Sequence, residues 1–195
     1  MASADAEFTG HSPVVDREHE SLTNRDVTSM REPEATAVAS DLLNREGRYL
    51  DDREWDPWLA MYAPAAVFWV PAWRDDEHET TDPNTEISQI YHEARVGLEE
   101  RVARVRSGQS VTALPLPRTT HFITNIFVTA LAPDVIEARA NWLVQVYHPR
   151  TAKTQANFGY YELRYTQHQS AWLITSKKIH LKNDVIPAVI DFYTL

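Results

Sequence analysis

Residues 50–73, LDDREWDPWLAMYAPAAVFWVPAW, constrain the fold more than any other stretch. From Trp58 to Trp73 no residue is charged, and four of the six tryptophans lie within residues 50–73. Such a run must be buried. Pro64 and Pro71 interrupt it, and it is shorter than the about 20 apolar residues that a bilayer needs. It reads as the core of a soluble domain: a short helix, a turn and a buried strand. Asp56-Pro57 is the expected helix start, with Asp56 as N-cap and Pro57 at the first helical position. Ala63-Pro64 is the expected stop, because proline has no N–H to continue the ladder. Val67 to Val70 are β-branched and aromatic, as strands prefer, and Pro71 should end that strand at an edge or bulge.

Upstream, residues 34–50 carry Ala35, Val38, Ala39, Leu42 and Leu43 at helical spacing, which predicts an amphipathic helix. Residues 1–30 are polar and aperiodic and read as a tail outside a single domain spanning 31–195. Downstream, residues 74–84 should form an exposed charged loop, 86–91 a short strand and 95–106 a second amphipathic helix. Gly108 should stop that helix. From Arg118 the period changes to two. Phe122, Thr124, Ile126 and Val128 are expected on one face, alternating with His121, Ile123, Asn125 and Phe127. Ile136, Ala138, Ala140, Trp142, Val144 and Val146 alternate more cleanly. Residues 158–166 and 171–182 supply two more strands, with a bulge expected near Lys177-Lys178. Short connections between long strands imply an antiparallel meander. Helices first and a curled sheet afterwards make an α+β fold, a cone of antiparallel sheet wrapped over N-terminal helices.

A chain of 195 residues is long enough to bury roughly 70% of its unfolded surface in one core. The formal net charge of -9 argues against nucleic acid or an anionic membrane as partner. The N-terminus shows neither a basic region nor an apolar run of the secretory type, and the cytoplasm is the simplest location. Zero cysteines remove disulfides, thiolate-bound zinc, iron–sulfur clusters and thiol nucleophiles together. The five glycines are too far apart for a phosphate-cradling loop. No spacing offers the two histidines and one carboxylate of a mononuclear iron site. His121 and His180 lie within strands; His121 reads first as a core or interface histidine that donates to a carbonyl, and in the alternative as an acid or base at a cone mouth with Asp52 or Tyr161 as companions. Trp69, Trp73, Arg101, Arg104 and Arg118 are of the types enriched at protein interfaces. The bland alternative is a core of tryptophans and a solvated helix face of arginines. Arg101→Glu is expected to weaken association without unfolding the chain.

Three groups of motifs occur in order. The first is Leu50-Asp51-Asp52-Arg53, Trp58-Leu59 and Phe68-Trp69-Val70-Pro71-Ala72-Trp73. The second runs from Asp82-Pro83, Glu86-Ile87-Ser88 and Ile90-Tyr91 through Gly97-Leu98-Glu99, Arg101-Val102 and Arg104 to Arg118-Thr119, His121, Ile123 and Asn125. The third is Lys177-Lys178-Ile179, Leu181-Lys182-Asn183-Asp184 and Ile186-Pro187. Together they resemble the small (beta) subunit of aromatic-ring-hydroxylating dioxygenases of the benzoate, toluate and anthranilate type. Ala103 and Ala65-Ala66 depart from the family pattern.

The resemblance implies the cone-shaped fold of nuclear transport factor 2 and ketosteroid isomerase, also called cystatin-like. It implies a non-catalytic, structural subunit with no cofactor of its own. The Rieske 2Fe-2S cluster and mononuclear Fe(II) would belong to a large alpha subunit. Three beta subunits would form a trimer under three alpha subunits. The complex would dihydroxylate an aromatic acid with O2 and NADH-derived electrons. Two rivals stand beside it: a stand-alone isomerase or dehydratase of the same fold, and a small-ligand binding module. Both need a pocket near His121.

Overall fold

The computed structural model describes residues 30–108, 114–183, 185–186 and 189–195. The expected tail of residues 1–30 lies outside them except for Met30, as do Asp184 and Pro187 of the third motif group. Helix α1 (Glu32–Asp51) has Pro33 in its first turn and buries Ala35, Ala39, Leu42 and Leu43, as the periodicity predicts, with Val38 of the same set half-buried and Leu50 buried besides. It also buries Glu46 and Gly47, which the periodicity does not predict. Gly47 costs helix propensity. A Cβ there would sit 3.1 Å from Cβ of His121, so the glycine lets α1 lie close on the sheet.

Helix α2 (Trp55–Ala60) starts two residues earlier than expected, with Glu54 rather than Asp56 at the N-cap. The chain leaves α1 through a left-handed residue, Arg53 (φ 59°), and Glu54 N–H donates to the Tyr49 carbonyl at 2.8 Å. The new helix therefore begins at once. Asp56 pairs instead with Arg106, at 2.8 Å. Helix α2 ends at Ala60, before the proline. Pro64 falls inside strand β1 (Tyr62–Pro71), where the pairing with β6 is interrupted between Tyr62 and Val67. A second irregularity, at Val70/Pro71, is the bulge expected there. Strand β2 (Ser88–His92) follows the loop, and helix α3 (Val96–Ser107) stops at Gly108 with φ 64°.

Strands β3 (Arg118–Ala132), β4 (Val135–His148), β5 (Lys153–His168) and β6 (Ala171–Leu181) form the antiparallel meander. The six-strand order is β2-β1-β6-β5-β4-β3. Its β1–β6 pairing is parallel, a feature with no local signal in the sequence. The β4 face reads as expected: Ile136, Ala138, Ala140, Trp142, Val144 and Val146 are all buried.

The β3 face does not. Asn125 adopts φ 52° and the register slips between Thr124 and Phe127. The phase of alternation flips there. His121 and Ile123 share the inward side with Ile126 and Val128, and Phe122, Thr124 and Phe127 face out. The β6 bulge lies at Thr175, opposite Arg164/Tyr165, two residues before the expected place. Beyond it, Lys177 points inward and is buried. Helix α1 lies mainly on β3 with β4 beside it, and α2 packs on β1.

A candidate subunit interface outside a closed interior

Two polar pairs lie inside the cone, each holding α1 to a strand. Near the middle of α1, Glu46 Oε1 accepts from Lys177 Nζ at 2.8 Å, from the Tyr62 hydroxyl at 2.5 Å and from Trp58 Nε1 at 3.4 Å. Lys177 Nζ also lies 4.1 Å over the Tyr161 ring. Burial pulls the Lys177 amine below its ordinary pKa, against the opposing pull of Glu46. At the end of α1, Asp51 Oδ1 meets His121 Nδ1 at 2.6 Å, and Asp51 Oδ2 accepts from the His121 backbone N–H at 2.9 Å. Burial raises the Asp51 carboxyl, but the bonds and charge of His121 outweigh it and the net shift is downward.

These contacts correct the expected acid–base set. His121 is partnered by Asp51, not Asp52. Asp52 is exposed and faces Arg48 at 3.5 Å. The Tyr161 ring stacks on Trp142 with centroids 5.3 Å apart. Burial and Glu46 push its hydroxyl well above the ordinary tyrosine value.

The C-terminal turn, η1 (Phe192–Thr194), is buried against the interior beside α2 and His121. Phe192 stacks on Trp58 with centroids 4.6 Å apart, and Asn157 Nδ2 donates to the Thr194 carbonyl at 2.8 Å. The Leu195 carbonyl sits 3.2 Å from His121 Nε2, and the His121 side chain is only 2% exposed. The pocket that the two rival readings require near His121 is occupied by the chain itself.

Arg101 is not part of a solvated helix face. It donates from Nε to His92 Nε2 and from Nη1 to Asp191 Oδ1, both at 2.8 Å, and so ties the C-terminal turn to α3. Arg104 lines a slot of about 20 Å³ with Leu116 and Tyr193, room for one water at most. Trp69 and Trp73 lie half-buried on the outside of the sheet, so Trp69 does not fill the cone. Lys178 lies 4.3 Å over Trp69, and Lys182 lies 5.5 Å over Trp73. Arg118, at the start of β3, is exposed and sits 5.9 Å over Tyr147.

The outer face of β3–β5 carries Phe122, which strict alternation groups with Ile126 and Val128, together with Leu143 and Phe158. Phe122, Leu143 and Phe158 stand in register across three strands. They are 54%, 37% and 45% exposed, a contiguous apolar row facing solvent. Next to it runs a polar row. Tyr160 stacks on His180 with centroids 4.1 Å apart, and Arg139 covers Tyr160 at 3.8 Å. Row and neighbours line an open groove of roughly 700 Å³. Gly159 forms part of its floor, where a Cβ would come within 1.8 Å of the His180 carbonyl oxygen. An apolar strip flanked by polar and cationic groups is the anatomy of a protein interface. The phase flip at Asn125 is the signal that would have revealed it, and nothing in the local pattern announces that flip.

Among the described residues no group of three or more His, Asp or Glu could hold a metal, and no helix is long and apolar enough to cross a membrane. The fold alone does not choose a function. A hexachlorocyclohexane dehydrochlorinase has it at 14% identity and TM-score 0.56, covering 81% of this chain and 93% of its own.

Sequence does choose. Residues 45–188 match the family model for the ring hydroxylating beta subunit. The small subunit of 2-halobenzoate 1,2-dioxygenase from Burkholderia cepacia is 44% identical over 76% of this chain and 89% of its own. The beta subunit of benzoate 1,2-dioxygenase from Acinetobacter baylyi is 41% identical over 79% and 90%. The crystal structure of a benzoate 1,2-dioxygenase beta subunit from Burkholderia mallei superposes with TM-score 0.68 at 36% identity, covering 82% and 96%. The chain belongs to the family of ring-hydroxylating dioxygenase beta subunits.

Proposed function

We propose that this chain is the structural, non-catalytic small subunit of a dioxygenase that dihydroxylates a benzoate-type aromatic acid. The observation that carries the reading is the combination of a stoppered interior with an exposed apolar row outside. The site where this fold could do chemistry is closed, and the surface is built for contact. The described residues do not suit a metal cofactor. The chain has no cysteine, and among the described residues no three ligands converge. The Rieske cluster and the mononuclear iron would therefore sit in the large alpha subunit, which takes electrons from NADH in the cytoplasm. The expected stoichiometry is three alpha and three beta subunits, with the beta subunits in mutual contact. The names of the relatives support a benzoate-like substrate for the complex. Trp69, Trp73 and Arg118, outside the sheet or at its edge, remain candidates for contact. Arg101 belongs first to the chain's own packing, whereas Arg104, exposed on α3, stays with the candidates for contact. Residues 31–195 act as one cone-shaped domain preceded by a polar tail.

The test is co-expression with a candidate alpha subunit, followed by mass and iron analysis. A two-chain complex that carries iron, beside an iron-free small subunit purified alone, is expected. A small subunit that binds stoichiometric iron alone, or that ignores every large subunit of the benzoate class, would overturn the reading.

A further inference from the structure

We propose that His92 is an acid-operated pin on the C-terminal turn: a proton taken up at its Nε2 breaks the bond to Arg101 and releases residues 191–195 from the interior. The inference does not depend on the assembly role and can be tested on the full chain by itself.

The first observation is a hydrogen bond that exists in one protonation state only. A guanidinium has donors and no acceptor. Arg101 donates from Nε to His92 Nε2 at 2.8 Å, so that nitrogen presents a bare lone pair. The same guanidinium donates from Nη1 to Asp191 Oδ1, also at 2.8 Å. Arg101 is therefore a bridge. On one side it holds the sheet through His92, the last residue of β2, and on the other it holds the C-terminal turn. The Arg101 and Asp191 side chains are 19% and 13% exposed, so solvent screens the bridge only in part.

The second observation is how the ring is seated. His92 Nδ1 lies 2.1 Å from the place that a Cβ on Gly97 would take. Glycine in the first turn of α3 lets the ring lie against the helix and aim Nε2 at Arg101, four residues further on. Across the strand pair His92 faces Phe68, which brings no charge. The charged groups around the ring are Glu100, Arg101 and Arg104 of α3 and Asp191 of the C-terminal turn. Burial and then Arg101 oppose a proton on the ring, Glu100 and Asp191 favour it, and Arg104 opposes it; the balance lies below the ordinary histidine value.

The third observation is what the bridge secures. Asp191 Oδ1 also accepts from the Phe192 N–H at 2.9 Å, and the Thr194 N–H donates to the Asp191 carbonyl at 2.8 Å, so the turn is built on Asp191. Behind it Phe192 stacks on Trp58, and the Leu195 carbonyl meets His121 Nε2. A proton on His92 Nε2 sets N–H against N–H and cation against cation. Ring and guanidinium then part, and Asp191 loses its fixed anchor on α3. The closed turn binds fewer protons at His92 than the open one, so acid favours the open form.

Hydrogen exchange of the Phe192–Thr194 amides, referred to the intrinsic rate at each pH, reads the release. Protection there should fall from about pH 7.5 to about pH 5, by about tenfold for each unit by which closing the turn lowers the midpoint of the ring. The β4 amides should keep theirs. His92→Gln retains an acceptor for Arg101 and cannot take up a proton, so it should hold the turn closed across the range. Gly97→Ala pushes the ring off Arg101 and should leave the turn poorly protected at both ends of it. Unchanged protection in the parent chain would overturn the proposal, because protonated His92 would then have turned to Glu100 or Asp191 with the turn still closed. An equal fall in His92→Gln would overturn it by placing the sensor at another group. A fall shared by β4 would mean global unfolding and would overturn it too. Gly97→Ala as well protected as the parent at neutral pH would refute the role of the ring.

Discussion

Replacing Lys177 by methionine tests the interior directly. The Lys177 and Glu46 side chains are each 2% exposed and 2.8 Å apart, so solvent screens their attraction little. Lys177→Met keeps most of the volume but leaves the Glu46 carboxylate with only the Tyr62 hydroxyl and Trp58 N–H. Breaking a buried pair this way costs about 3–5 kcal/mol, because an uncompensated charge stays behind. For a chain of this size each kcal/mol shifts the melting temperature by about 2–4 °C, so a fall of about 6–20 °C is expected. Glu46→Leu with Lys177→Met removes both charges, and adding Tyr62→Phe removes the hydroxyl that would lose its acceptor. That triple variant should regain most of the loss, since replacing a buried pair by apolar groups is often neutral or stabilising. Urea unfolding of the purified small subunit, at fixed pH and protein concentration, measures both. A Lys177→Met variant within about 1 kcal/mol of the parent would refute the reasoning, because it would mean that water reaches the pair.

Gly159→Ala should cost about 1–3 kcal/mol in urea unfolding, since its Cβ would lie 1.8 Å from a backbone carbonyl oxygen that cannot swing aside. Arg101→Glu should destabilise the isolated subunit by roughly 3 kcal/mol, because it sets a carboxylate beside Asp191 and frees the C-terminal turn; unchanged stability with weakened assembly would favour the interface role instead. Burial, then the charge of Arg101, depress His92 below its ordinary 6.5, so the native state binds fewer protons there than the unfolded chain. Stability should fall as pH drops from about 6.5 through the lower folded value, and His92→Gln should flatten that part of a melting profile. Asp51, whose net shift is downward, stabilises the native state above its unfolded pKa and loses that contribution as pH falls through the folded value; Asp51→Asn should remove this acid limb.

The meander was legible because β4 alternates without a fault and its loops are short. Helix α1 was legible from one apolar face. Two single-residue events hid the rest. The left-handed Asn125 reverses the phase of β3, so a periodic reading groups Phe122 with Ile126 and sets His121 on the opposite face from it. The bulge at Thr175 turns Lys177 inward, where a lysine is not expected unless a carboxylate waits for it. That carboxylate, Glu46, lies 131 residues away, and no local pattern links them. His121 stood out as a polar residue within a strand. Its partner could not be read from two adjacent aspartates, because α1 aims only one of them at the sheet. The recurring motifs identified the family where periodicity could not.

The parallel pairing of β1 with β6 sets the schedule on which this subunit can fold. Tyr62 pairs with Ile174, a separation of 112 residues (174 − 62). Closing a loop of that length costs about 4 kcal/mol by the (3/2)RT ln n estimate, before any contact repays it. On a ribosome adding about 5–20 residues per second, β1 waits roughly 6–22 seconds for its neighbour to be made. During that interval Phe68, Trp69 and Val70 present an apolar strand with an open edge, the kind of surface that draws chaperones or aggregates. The β2–β1 ribbon cannot join the sheet until the last strand arrives. Folding is therefore a late, whole-chain event, and a small subunit interrupted before β6 is a substrate for quality control rather than a partial scaffold.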